Sequence, residues 1–284
     1  MKMCKGQIST RVLAQLAKDV YLVGSAPSGF TRQVFRDGNY GFYGAVYRST
    51  SFNQGRPLRC LVLRGSDDWM DWILANPQMI PRTVRDDIAD QVAREPKLDL
   101  WGIRASLRNR LAESISRSFM GRMPKGQASQ AWEMYKAEQG KGESIDIVAG
   151  HSLGGALAAF VGQRAGIPAV TFNAPKIGLL DGTVPATFAS ILHINANRDI
   201  ISNASAGLGS LSVGEVLKVQ VPEPPPARRN RNLAHRAMRR HYFVRKADDK
   251  RTELQDLIRE IKYYHSMDPL ISVGAGSRGI MINS

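Results

Sequence analysis

The chain has 284 residues, 43% of them hydrophobic and 23% charged, which fits one sizeable α/β domain (residues 1–284), or at most a domain with appendages. No apolar run approaches the roughly 20 residues that cross a bilayer. Residues 7–18 carry polar side chains throughout, so a Sec signal peptide is not expected, which leaves a cytoplasmic protein or one exported by a signal-independent machine. Cys4 and Cys60 fall in separate elements with no C-x-x-C, which argues against a disulfide framework or zinc site, and Cys60 reads as a buried small hydrophobe. The formal net charge of +14 favours anionic partners. Ten Lys and Arg between Ala227 and Arg251, against Asp248 and Asp249, supply +8 of it.

In chain order, residues 8–20 read as an amphipathic helix and Tyr40 to Tyr47 as a strand or hairpin arm. Leu58 to Arg64 is a strand by its run of β-branched and apolar residues. Residues 67–76 look helical and rich in tryptophan; 83–95, 104–119 and 126–139 read as further helices. The apolar stretch 144–149 is a short buried strand, and Leu153 to Ala165, rich in Ala and Leu, is a helix. Strands at 169–173 and 190–195 follow, then a Gly/Ser loop at about 203–214. A stiff Pro222 to Pro226 linker, the basic segment and a helix at about 249–263 complete the chain. Alternating strands and helices imply a mostly parallel central sheet flanked by helices.

Between strand and helix lies Gly150-His-Ser-Leu-Gly154, a G-x-S-x-G. In that context the motif makes a nucleophile elbow: the glycines permit a tight turn and close helix packing, and the serine sits where backbone N–H groups favour developing negative charge. Ser152 is therefore the candidate nucleophile. A serine hydroxyl needs a base and a carboxylate that orients it, and in hydrolases with this elbow the order is serine, acid, histidine. That order removes His151, at the variable position of the motif, and His193. Asp199 follows a strand end, where α/β sheets build sites; Asp181 is the alternative, in an Asp-Gly turn. His265 is the candidate base. His235 and His241 stand among arginines, which disfavour imidazolium. The backbone N–H of Leu153 and a donor at Ser66 are the expected oxyanion hole.

Together these residues resemble the class 3 lipases, the fungal-lipase-like branch of the α/β-hydrolase fold. Arg64-Gly-Ser66 with Asp71-Trp72 resembles one family block, and Gly150-His-Ser-Leu-Gly-Gly155 matches the nucleophile sequence. Thr171 to Gly178 and Asn195 to Asp199 resemble the two that follow. The ending around His265 is similar to a His-x-Met pattern. The resemblance implies an α/β-hydrolase fold with Ser152, Asp199 and His265 as triad, Ser66 and Leu153 as oxyanion donors, and a lid helix after Ser66. The residues Trp69, Met70, Trp72 and Ile73 agree with a lid or lipid-contacting helix, the alternative being a core helix, since the resemblance implies that Trp72 packs inward. Two features depart from the pattern. Ile200, Ile201 and Ser202 stand where valine and proline usually follow the acid, and a Pro- and Arg-rich insertion occupies about 222–251.

The expected activity is hydrolysis of acyl esters of lipids, of lipase or phospholipase A type, without cofactor or metal. The substrate is expected at a membrane or micelle surface, with Arg236, Arg239 and Arg240 holding anionic phospholipid. The alternatives are a thioesterase or small-ester esterase, and a basic nucleic-acid- or membrane-binding module on a vestigial hydrolase fold. An intact Ser152, Asp199 and His265 set argues against the second, and so against nucleic acid as a partner.

Overall fold

The computed structural model describes residues 5–22, 26–38, 42–50, 56–65, 125–175, 190–199, 202, 214–224, 259, 262–273 and 279–283. Seven strands form one sheet: β2 (Phe30–Asp37), β3 (Tyr43–Ser49), β4 (Arg59–Arg64), β5 (Ile147–His151), β6 (Ala169–Phe172), β7 (Ile191–Ala196) and β8 (Glu215–Val219), in that spatial order. β2, β3 and β4 pair antiparallel. From β4 to β8 every pairing is parallel. The N- and C-terminal strands β1 (Lys5–Ser9) and β9 (Gly279–Asn283) form a separate antiparallel pair, Lys5 opposite Asn283.

Helices cover both faces of the large sheet, because its strands carry apolar side chains on both. Along β4, Cys60 and Val62 pack with Leu13, Leu16 and Ala17 of α1 (Thr10–Asp19), while Leu61 and Leu63 point the other way. There they meet Met134 of α2 (Lys125–Gln139) and Leu157 and Val161 of α3 (Leu153–Ala165). Tyr264, in a helical turn at 262–265, and Leu270, in α4 (Met267–Ser272), join the α1 face. All of these side chains except that of Met134 (1% exposed) are fully buried. At roughly 1.5–3 kcal/mol for each large apolar side chain removed from water, these two layers are the main force holding the helices to the sheet.

The sequence places α1 from residue 8, but the helix begins at Thr10, because 5–9 pair with β9. Ser9 starts it, its Oγ accepting from the Val12 N–H at 3.3 Å. The strand read as 144–149 begins at Ile147 and runs on to His151. β1, β2, β8, β9 and α4 were not legible as elements. β2 and β8 are the edges of the sheet, where charged residues break the apolar pattern that marks β4 to β7. The helices expected at 67–76, 83–95 and 104–119 lie outside the described residues. So does most of the Gly/Ser loop and most of the helix expected at 249–263.

Candidate active site

β5 ends at His151 and α3 begins at Leu153, leaving one residue, Ser152, to make the turn. It does so at φ 56° and ψ −129°, a conformation that costs a non-glycine residue energy and persists only when its surroundings hold it. The glycines on either side provide that hold. A side chain on Gly150 would run into the backbone of Gly154, and one on Gly154 would run into the Leu63 carbonyl of β4. A side chain on Gly155 would crowd Ala174 and the Gly150 carbonyl. The turn can therefore be tight, with α3 resting on the backbone of the sheet. Ser152 N–H donates to the Phe172 carbonyl at 3.0 Å, and its carbonyl accepts the N–H of Ala156 at 3.1 Å.

The parallel register carries two more groups to the same edge. β7 ends at Ala196, one turn before Asp199, whose N–H donates to the Ala196 carbonyl at 3.1 Å. His265 closes the helical turn that packs Tyr264 into the core. His265 Nε2 is 2.9 Å from Ser152 Oγ, and its Nδ1 is 3.0 Å from Asp199 Oδ1. The carboxylate can only accept, so Nδ1 carries the proton, and Nε2 is left to accept from the serine hydroxyl. The second carboxylate oxygen accepts the Ser202 N–H at 3.0 Å, a bond that proline at 202 could not make. Ser152, Asp199 and His265 are all buried. Arg198, beside the acid, donates to Tyr264 Oη at 2.9 Å and to Glu223 Oε1 at 3.2 Å.

This arrangement can move a proton from a hydroxyl to an imidazole whose other nitrogen is already bonded to a carboxylate. Leu153 is the first helical residue, so its N–H has no carbonyl four residues back within α3 and lies at the positive end of the helix dipole. An oxyanion forming beside Ser152 would find that donor in place. Its expected companion, Ser66, lies outside the described residues, next to the described Gly65. Trp69, Met70, Trp72 and Ile73, Asp181, His235 and His241, and Arg236, Arg239 and Arg240 also lie outside them. Among the described residues, no group of three or more His, Cys, Asp or Glu is arranged to hold a metal ion, and no helix is long and apolar enough to cross a membrane. Cys60 is buried and free, and burial pushes its thiol well up.

Asn173 and His151 contact the backbone of His265, and Tyr21 contacts His151. Asn173, at φ 46°, donates through Nδ2 to the carbonyls of Tyr264 and His265, both at 3.0 Å, and accepts the Ala196 N–H at 2.8 Å. It thus ties the ends of β6 and β7 to the turn that bears His265. His151, set aside as the variable motif position, has Nε2 2.7 Å from the His265 carbonyl, and Tyr21 Oη lies 3.1 Å from His151 Nδ1. Burial, then the neighbouring His265, pulls the His151 imidazole down to about 3, so it stays uncharged at ordinary pH. Asn173 and His151 fall inside quoted motifs and could have been suspected; nothing in the sequence marks Tyr21. His193 lies inside the sheet, with its Nδ1 2.8 Å from Thr171 Oγ1.

No protein-family model matches the chain, and no curated protein matches it. Among solved structures it is similar to one named "m3DLH", with 14% identity over 82% of this chain and 98% of that one, at a TM-score of 0.29. A similarity that loose bears on neither fold nor activity.

Proposed function

We propose that the protein is a serine hydrolase of the α/β-hydrolase fold, of the class 3 lipase kind, that cleaves acyl esters of lipids. One observation carries the reading. A serine in a strained strand-to-helix turn, an imidazole and a carboxylate stand in line at 2.9 and 3.0 Å, in the chain order such hydrolases use.

In this reading His265 Nε2 takes the Ser152 proton as Oγ attacks the ester carbonyl carbon. Asp199 holds the imidazole in the required tautomer and stabilises the imidazolium. The negative charge that forms on the carbonyl oxygen is met by the Leu153 N–H and by a donor at Ser66. His265 then returns the proton to the departing alcohol. Water, deprotonated by the same base, releases the fatty acid from Ser152. A lipid substrate is supported by the sequence alone, through the aromatic stretch 69–73 and the basic segment 227–251. The triad itself does not select the leaving group, so a thioester or small ester is chemically equivalent at Ser152.

The test is release of fatty acid from anionic phospholipid vesicles and from a triglyceride emulsion, with a soluble short-chain ester alongside. Wild type should release acid and Ser152→Ala should lose that release by about 10⁶-fold. Activity on the soluble ester alone would make the protein a small-ester esterase. Activity on none of the three, with salt-dependent binding to anionic vesicles or DNA, would replace the hydrolase by a basic binding module.

A further inference from the structure

We propose that Tyr21 and His151 are positioning residues that tie the backbone of the base, His265, to Gly65, the residue that follows β4. This rests on Ser152 being the nucleophile. The base and the peptide preceding Ser66 would then be held as one unit.

Hydrogen-bond chemistry fixes the direction of every link. The His265 carbonyl can only accept, so His151 Nε2 carries the proton and donates to it at 2.7 Å. His151 Nδ1 is then an acceptor, and the Tyr21 hydroxyl donates to it at 3.1 Å. The Tyr21 oxygen in turn accepts the Gly65 N–H at 2.9 Å. Three bonds run in one sense from the end of β4 to the base, so each polarises the next. A longer contact, 3.5 Å, joins the same hydroxyl to the His151 carbonyl.

The packing is built to the same plan. A Cβ on Gly65 would sit 2.6 Å from Tyr21 Oη, 3.0 Å from the His151 carbonyl oxygen and 3.1 Å from Ser152 Cβ. Residue 65 must therefore be glycine if Tyr21 is to reach its N–H with Ser152 alongside. The Tyr21 and His151 rings meet edge-on with centroids 5.8 Å apart, and those of His151 and His265 are 4.9 Å apart. An imidazole so close to the base must stay uncharged, or it would oppose the imidazolium that His265 becomes; its burial keeps it so. Tyr21 follows α1, so the N-terminal helix is joined to the chemistry through this hydroxyl.

The test uses the full chain with Tyr21→Phe, His151→Phe and His151→Gln. Steady-state rates on a soluble short-chain ester are normalised to active sites titrated with a phosphonate ester, and thermal midpoints are recorded. Tyr21→Phe should lower kcat per titrated site by about 10- to 100-fold through misplacement of the base and of the Gly65 peptide, with KM within about twofold. His151→Phe should do the same or more. His151→Gln, which keeps an N–H for the His265 carbonyl, should recover part of the loss. Nitrogen-detected imidazole spectra of the wild type should show His151 as the Nε2–H tautomer, without titration near neutral pH. Wild-type kcat in Tyr21→Phe and His151→Phe, whatever their thermal midpoints, would overturn the inference, as would a His151 protonated on Nδ1. Where a Phe variant does not fold, a His151→Gln with kcat as low as an unrescued site would overturn it too. A wild type inactive on every ester would overturn the nucleophile reading as well, whereas an active wild type with unaffected variants would overturn the positioning role alone.

Discussion

Asp19 and Asp199 are both buried carboxylates held by hydrogen bonds, and each orders residues from distant parts of the chain. Asp19, the last residue of α1, accepts from Tyr47 Oη at 2.7 Å and pairs with Arg32 Nη2 at 2.5 Å, locking the helix to β2 and β3. Neither partner gives up its proton near neutral pH. The guanidinium is a fixed cation, and burial, reinforced by Asp19, pushes the Tyr47 phenol well up. Asp199 instead meets an imidazole whose far nitrogen faces a serine hydroxyl. Burial and a paired carboxylate are thus common to a structural lock and to a candidate active site. What separates them is a partner able to exchange a proton and a second group beyond it to supply one.

Replacing the two carboxylates should separate these roles. Asp199→Asn keeps the shape but favours the wrong imidazole tautomer, and should lower kcat on a soluble ester by about 10⁴-fold with little change in thermal midpoint. Both values come from one preparation, by steady-state kinetics and thermal unfolding.

Acid should distinguish the two regions next. The His151 imidazole titrates near 6.5 when unfolded and is held down to about 3 when folded, facing Tyr21, His265 and, further off, Asp199. Between those values the unfolded chain binds a proton that the folded chain refuses. Its contribution is therefore complete above pH 6.5 and is lost as pH falls towards 3, by at most about 1.4 kcal/mol per pH unit. Urea unfolding across that window should show the slope, and His151→Gln should flatten it. Arg32 stays charged and Tyr47 stays neutral over the same range, so neither contributes to that slope itself.

Asp19→Ala leaves the mostly buried Arg32 cation without its carboxylate and should destabilise the fold by about 3 kcal/mol. Activity per titrated site should stay within about twofold, since Asp19 itself contacts neither Tyr21 Oη nor His151; a larger fall would show that the end of α1 transmits its displacement through Tyr21. Tyr47→Phe removes one donor from Asp19 and should cost about 1 kcal/mol in the same unfolding assay, the smallest effect of the set.

How far each part was legible follows from the range of the forces that set it. β4, β5, α3, β6 and β7 are short runs of apolar residues whose spacing reports burial directly, so local pattern suffices. The elbow is legible too, because only glycine tolerates the closeness at Gly150 and Gly154. β2 and β8 escape notice because an edge strand carries polar and charged side chains, and β1 and β9 because each is specified by a partner nearly the whole chain away. In the site, Ser152 is marked by its own neighbours. Asp199 and His265 follow only from chain order and from the elimination of rivals.

The sequence by itself determined the layered α/β arrangement, the tight turn at Ser152 and the set of residues from which a base and an acid could come. All of these depend on side-chain size, polarity and spacing within a few residues. Only the tertiary structure decided that His265 Nε2 reaches Ser152 Oγ, that Ser202 supplies the second hydrogen bond to Asp199, that Asn173 and His151 meet the His265 carbonyl, and that Tyr21 meets His151. Those contacts join positions up to 130 residues apart along the chain. Hydrogen bonds act over about 3 Å, so the packing of the sheet and its helices must first bring their partners together.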